Sequence, residues 1–442
     1  MKMNKFLAAF AGVLAVGLAD AAWAGVKIEH WTTDTGARVY FVANDALPIL
    51  DVQVDIPAGS ARDPKGKSGL AAITRGMLDA GVAASGGDAA MNEEQIAGRV
   101  VDLGLQFGGG VDGDRSSITL RTLSDPAQRD GSLALLRRLL SAPVFPESVL
   151  TREKTRTIAA LQDADTRPGP VLAKRFSAAI YGDHPYGNSV SVGSVGAISR
   201  DDLLAFYRAN YTSSGAVISL IGAITRAEAE KIAAGIADAL PAHAALPALP
   251  AVRPSHADTL RIPLQATQAH IAIGMPSVAR SDPDYYALLL GNYSLGGGGF
   301  VSRLMKEVRE KNGYAYDVHS YFLPAKLEGP FQIGLQTRRE RAEDALDLTR
   351  KVLDDYLKTG PTEAELAAAK RFYIDSLPLR TDNNAKLLGY LSAIGFYGLP
   401  LDYLDQFPRL INAVTTAQVR AAFASHVKAD GLVTVVVGET DK

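Results

Sequence analysis

The chain has 442 residues, 47% of them apolar, with 46 Lys and Arg against 48 Asp and Glu and no cysteine. That length and apolar content support two large cores and exclude a disordered chain, and the near-neutral charge offers no nucleic-acid surface. Disulfides, thiolate metal sites and cysteine nucleophiles are excluded together. At the start, Lys2 and Lys5 precede an apolar run over 6–19 and Ala22-Trp23-Ala24 is a small-x-small cleavage signal, so residues 1–24 read as a secretory signal peptide. The remaining 442 − 24 = 418 residues, from Gly25, are expected in the periplasm with a charge near −3 (44 basic and 47 acidic without Lys2, Lys5 and Asp20). No membrane anchor is expected, because no later stretch is apolar for about 20 residues. Next come expected hairpin strands at 39–41 and 50–56, a helix at 68–80, a strand at 118–122, and helices at 130–140 and 146–165. Further on, 262–275, 314–322 and 331–337 read as strands, and 284–293, 341–358 and 362–377 as helices, with Thr362-x-x-Glu365 a capping box.

The chain also repeats. Residues 197–222 align without a gap on 413–438, at an offset of 431 − 215 = 216, with Ala197/Ala413, Gly215/Gly431 and Gly222/Gly438 identical. Ser199-x-x-Asp202 and Thr415-x-x-Gln418 start the helix of each unit with capping-box spacing. An offset of half the chain means tandem domains rather than a solenoid. Between them, residues 241–257 carry Pro241, Pro247, Pro250 and Pro254, a semi-rigid linker. The expected organisation is a domain at 25–240, the linker, and a domain at 258–442, each of α+β class.

The most informative stretch is 296–316. Four glycines, Gly296 to Gly299, lead to Ser302, read as an N-cap, and to an apolar stripe of Leu304, Met305 and Val308 that Asn312-Gly313 ends. Alternation then puts Tyr314, Tyr316, Val318, Ser320 and Phe322 on one strand face and Ala315, Asp317, His319 and Tyr321 on the other, so Arg309 and Tyr316 can converge. The segment resembles the second-half signature of the pitrilysin family of zinc peptidases, "LGGG..SRL..E.RE..G.AY". That resemblance implies two similar domains, each a mostly antiparallel sheet backed by helices. It also implies substrate-binding and catalytic roles for Arg309 and Tyr316, with Gly297 and Gly298 beside the substrate.

In the first half the same resemblance points to lost chemistry. The family's H-x-x-E-H motif falls on Gly69-Leu70-Ala71-Ala72-Ile73-Thr74-Arg75-Gly76-Met77, where Ala72, Arg75 and Gly76 replace the ligands and the catalytic glutamate. Leu70, Ile73 and Met77 form the core stripe of this helix, and 72, 75 and 76 lie on another face. Downstream, Glu153 matches a family carboxylate, but Ala160 stands at the third-ligand position. A guanidinium at 75 would repel a divalent cation by several kcal/mol even at an effective dielectric of about 20. The seven histidines (His30, His184, His243, His256, His270, His319 and His426) show no metal-pair spacing and read as structural. No Gly-x-Ser-x-Gly elbow or P-loop is present.

The resemblance therefore implies a substrate-binding subunit without a zinc site or other cofactor of its own. Such a chain would work on peptides in a heterodimeric periplasmic metallopeptidase, with Zn²⁺ held by a partner bearing H-x-x-E-H. The alternatives are an inactive assembly subunit of the same fold and a stand-alone periplasmic peptide-binding protein.

Overall fold

The computed structural model describes residues 26–241 and 246–439; the signal-peptide segment 1–24, Gly25 and His243 lie outside the described residues. The strands are β1 (Glu29–Thr32), β2 (Arg38–Ala43), β3 (Ile49–Ile56), β4 (Gly81–Val82), β5 (Met91–Asn92), β6 (Gln106–Val111), β7 (Ser116–Leu123) and β8 (Val217–Gly222) in the first half. The second half holds β9 (Asp258–Pro263), β10 (Gln268–Val278), β11 (Ala315–Phe322), β12 (Gly329–Arg338) and β13 (Val433–Glu439). The sheets run β1-β2-β8-β3-β7-β6 and β11-β12-β10-β13-β9, with β4-β5 a small separate ribbon. Each large sheet is antiparallel except for one parallel pairing, β2 with β8 and β9 with β13.

Three sequence expectations are corrected. β2 and β3 are not a hairpin, because β8, some 160 residues downstream in sequence (217 − 56 = 161), inserts between them and bonds to both. The expected strand at 262–275 is two strands, β9 and β10, which lie on opposite sides of β13 in the sheet. The helix expected at 68–80 is shorter, Leu70–Gly76, preceded by Gly69 in the left-handed region at φ 102°. Asp63 accepts the Gly69 and Ala71 N–H groups at 2.7 Å each, so an acid six residues upstream caps this helix.

The two halves trade helices. The Pro168–Tyr181 helix belongs to the first half in sequence but packs Phe176, Ile180 and Tyr181 on Ala272, Val433, Val435 and Val437 of the second sheet. Conversely, the Asn384–Tyr397 helix buries Leu387, Leu388, Leu391 and Ile394 in a core shared with Tyr40, Val42, Val217 and Ile221 of the first sheet. The repeat offset relates the pair: 384 − 168 = 216 and 397 − 181 = 216. It also relates Glu147–Ala164 to the start of Glu363–Asp375 (363 − 147 = 216) and Arg200–Asn210 to Thr416–His426 (416 − 200 = 216). Capping boxes at Ser199, Thr362 and Thr415 start three of these helices.

Polar contacts hold the same seam. Gln53 and Arg115 both donate to Ser392 Oγ, at 2.9 and 2.7 Å, and the Arg115 guanidinium lies over the Phe396 and Tyr397 rings. Asp114, buried, accepts from the Tyr186 hydroxyl and, at 2.8 Å, from the Lys326 N–H on the β11–β12 loop. The described linker residues strap across: Arg62 and His184 reach Pro247 and Pro250 carbonyls, while Ser255 Oγ donates to Gly431 O at 2.6 Å. No helix among the described residues is long and apolar enough to cross a membrane.

Gly395 is where the swapped helix comes nearest the first sheet. A Cβ there would meet Val217 Cγ1 and lie 2.7–2.8 Å from the Tyr40 ring, whereas a Cβ at Gly389, on the same helix, would meet nothing within 4 Å. Gly395→Ala is expected to destabilise by about 1–3 kcal/mol through overpacking. Gly389→Ala should stabilise by about 0.5–1 kcal/mol through helix propensity. Urea unfolding checks both, and equal shifts at the two sites would contradict this seating of the helix.

Candidate functional site

Residues 293–316 form two wide π-type turns, Tyr293–Gly297 and Met305–Lys311, joined by the short Gly299–Val301 turn. The glycines are demanded by crowding. A Cβ at Gly297 would lie 2.5 Å from the Asn292 carboxamide nitrogen, and one at Gly298 would lie 2.6 Å from Tyr293 O. Asn292 in turn donates to Ser320 O at 2.9 Å and accepts from Ser320 Oγ at 2.6 Å, which ties the loop to β11. Ser302 does not cap as expected: its hydroxyl donates back to Gly299 O at 2.7 Å and caps no N–H of the following turn, and its carbonyl, accepting from Lys306 N, opens the helical bonding. Leu304, Met305 and Val308 are buried, as the stripe predicts. Gly313, at φ 62°, ends the turn, with its N–H on Arg309 O and the Tyr314 N–H on Val308 O.

The strand departs from simple alternation. Pairing of β11 with β12 slips between Ala315 and Asp317, which face Thr337 and Gln336, so Tyr316 is the extra residue of a bulge. Ala315 and Val318 are both buried as a result, and Tyr316 and Asp317 both point outward. Tyr316 is 81% exposed, and this outward turn brings its ring to Arg309. The Arg309 guanidinium carbon lies 5.3 Å from the Tyr316 centroid and 4.6 Å from that of Phe300, which is 62% exposed. Each such contact at an exposed site contributes roughly 0.5–1 kcal/mol. Among the described residues no acceptor or carboxylate meets the Arg309 N–H groups, and none meets the Tyr316 hydroxyl.

Phe300 falls at an unspecified position of the signature and carries no sequence signal of its own. Arg303 has a different fate: it forks onto Glu365 at 2.9 and 2.7 Å, donates to Gly360 O and lies over the Tyr356 ring. It fastens the glycine loop to the Glu363–Asp375 helix. Also missed was the meeting of Asp282, Asp284 and His426, three residues from two distant segments.

At the other candidate positions, Ala72, Gly76 and Ala160 are exposed and offer no donor atom. Arg75 is only 7% exposed. Its Nε donates to Ser117 O at 2.8 Å, its Nη2 to Gly108 O, and its guanidinium lies 5.3 Å from the Phe107 centroid. Burial holds this guanidinium below its ordinary pKa, with Tyr211 and Asp79 acting against that. A zinc ion does not fit this helix, which presents a committed cation and no ligand atom.

The chain resembles known proteins over its full length. A family model described as the peptidase M16 inactive domain matches residues 197–373. The crystal structure of a peptidase M16 inactive domain from Pseudomonas fluorescens superimposes with a TM-score of 0.88 at 38% identity, covering 94% of this chain and 99% of that one. The chain belongs to the M16 peptidase family. Among curated relatives, a Streptomyces coelicolor protein named an uncharacterized zinc protease is 29% identical over 298 residues, 64% of this chain but only 63% of the relative. A Helicobacter pylori protein named a non-peptidase homolog is 23% identical over 445 residues, all of both chains.

Within this M16 fold Arg75 pins an edge strand, since β6 ends its sheet and bonds on one side only to β7. Arg75→Met keeps most of the packing but leaves the Gly108 and Ser117 carbonyls without their donors, and is expected to cost about 1–3 kcal/mol. Ala72→Ser, at an exposed position, should stay within about 0.5 kcal/mol of wild type. Chemical denaturation of the two variants side by side is the measurement.

Proposed function

We propose that the chain is the substrate-binding, non-zinc subunit of a periplasmic heterodimeric metallopeptidase acting on peptides. One observation carries this reading: the Arg309 guanidinium lies over the rings of both Phe300 and Tyr316, and among the described residues no acceptor meets its N–H groups. Aromatic faces fix its position without consuming its five N–H donors, so a peptide carbonyl or carboxylate can take them. The Tyr316 phenol, aimed outward by the bulge, is a donor for the oxyanion that forms as a peptide bond is attacked. Gly297 and Gly298, which the family resemblance sets beside the substrate, precede Phe300 on the same loop, and Gly297 is exposed. Ala72, Arg75, Gly76 and Ala160 hold no metal, so hydrolysis needs a partner chain bearing H-x-x-E-H, whose zinc would polarise the carbonyl and activate water.

The name of the Helicobacter relative favours a second reading, an inactive scaffold or peptide-binding protein of this fold. Kinetics on the mixed subunits separates the two. Peptidase activity should appear only when both chains are present. Tyr316→Phe should lower kcat roughly 100-fold with little change in KM, as for other oxyanion donors. Arg309→Ala should raise KM as well, because it holds the ground-state substrate too. Full activity in the Arg309→Ala, Tyr316→Phe double variant, with the heterodimer still assembled by size-exclusion chromatography, would leave the scaffold reading standing.

A further inference from the structure

Three side chains from two distant segments converge at the end of the Thr416–His426 helix. His426 is its last residue, Asp282 lies in the turn after β10, and Asp284 stands just before the Tyr285–Asn292 helix. His426 Nε2 is 3.2 Å from Asp284 Oδ2 and 3.6 Å from Asp282 Oδ1. One ligand atom from each residue lies within 4.8 Å of the other two. All three side chains keep some contact with solvent.

The second ring nitrogen decides what this arrangement needs. His426 Nδ1 is 3.1 Å from Ser277 O, and a carbonyl only accepts, so Nδ1 carries the hydrogen. In the neutral ring Nε2 is then a bare lone pair facing two carboxylates, which is repulsive unless a positive charge sits among the three. Among the described residues no lysine or arginine pairs with either acid. Arg280, the cation nearest in sequence, is turned to the Tyr285 ring at 4.2 Å and donates to the Tyr403 hydroxyl at 2.8 Å. The charge must be a proton on Nε2 or a bound cation.

Distances favour the cation. A single N–H on Nε2 can serve Asp284 alone; Asp282 Oδ1, 3.6 Å away, accepts the Asp284 N–H at 2.8 Å, a neutral donor that leaves its charge without a cation among the described residues. Ligand bonds of about 2.1 Å in tetrahedral geometry put ligand atoms about 3.4 Å apart, and the 3.2 and 3.6 Å separations bracket that value. A backbone carbonyl receiving the far ring N–H is also the arrangement that orients metal-bound histidines. One imidazole and two carboxylates suit a first-row divalent ion, with water completing the shell.

We propose that Asp282, Asp284 and His426 bind a divalent cation of the zinc or cobalt type, which clips the end of the Thr416–His426 helix to the start of the Tyr285–Asn292 helix. The site is separate from the degenerate zinc motif on the Leu70–Gly76 helix and does not rest on the proposed peptidase role. It is also particular to the second half. The repeat partner of His426 is Asn210 (426 − 216 = 210), whose carboxamide donates to Phe206 O of its own helix at 2.9 Å. Because the Tyr285–Asn292 helix runs directly into the Tyr293–Gly297 turn, the clip braces the approach to the glycine loop.

The test is a Co²⁺ titration of the chelator-stripped, untagged, full mature chain, followed by the visible absorption of the bound ion. About one Co²⁺ per chain is expected, displaced by Zn²⁺. Asp284→Asn should weaken binding roughly 10-fold or more, and His426→Ala should abolish it. Absence of binding up to about 1 mM, or equal binding by wild type and His426→Ala, overturns the proposal and assigns the charge to a proton. If circular dichroism shows His426→Ala unfolded, the Asp282→Asn, Asp284→Asn double variant decides by the same criterion, because it removes ligand charge while keeping side-chain volume.

Discussion

The exchange of one helix between the halves is the interaction on which the rest of this structure depends. Neither large sheet completes its second face from its own half: Val433, Val435 and Val437 are covered by Phe176, Ile180 and Tyr181, and Tyr40, Val42, Val217 and Ile221 share a core with Leu388 and Leu391. Apolar burial is non-directional and tolerates such a swap, provided that shape matches. The polar contacts at the seam fix the register. Arg115 reaches Ser392 from a loop of the first half, and Asp114 holds the β11–β12 loop of the second. A half expressed alone would expose a whole sheet face, so the two halves form one folding unit despite the linker.

That frame explains how an exposed site is held in place. The glycine loop needs three separate anchors, because its backbone leaves the α-helical pattern twice. Asn292 ties it to β11, Arg303 ties it to Glu365, and the Ser294 and Tyr356 hydroxyls, 2.8 Å apart, both lie within hydrogen-bond reach of Gly291 O. None of these groups lies in the Arg309 stack, yet each restrains the backbone from which Phe300 and Arg309 project. The bulge at Tyr316 adds the last element, turning outward a ring that strict alternation would place on the face of the buried Val318.

What was legible in the sequence follows from how local its causes are. The capping boxes, the apolar stripe of Leu304, Met305 and Val308 and the left-handed Gly313 depend on neighbours within a few residues and were read correctly. The repeat was legible at 197–222 because glycines mark its turns. It was less plain at 168–181 against 384–397, where Leu172/Leu388 and Tyr181/Tyr397 are identical and what is mainly shared is a helix that packs across the seam. β8 between β2 and β3 could not be foreseen, since period-2 patterning says which face a strand buries and nothing about which strand lies beside it. The bulge also has no signal in residue type. Asp282, Asp284 and His426 are about 140 positions apart in sequence (426 − 284 = 142), so no spacing rule could join them.

Two arginines show why residue identity alone does not reveal a binding site. Arg75 stands where the family resemblance implies the catalytic glutamate of the zinc motif, and Arg309 where it implies a substrate contact. At Arg75 the charge is buried, Nε and Nη2 are spent on the Ser117 and Gly108 carbonyls, and the ring of Phe107 lies against the guanidinium. That cation has been turned inward to hold an edge strand, with two of its five N–H donors on the Ser117 and Gly108 carbonyls and the group itself buried. At Arg309 two rings supply the positioning that hydrogen bonds supply at Arg75. Stacking restrains a guanidinium through its faces and leaves its edge unspent, whereas backbone acceptors restrain it by consuming that edge. The unspent edge, rather than the positive charge, is what separates an arginine that can bind from one that only holds the fold.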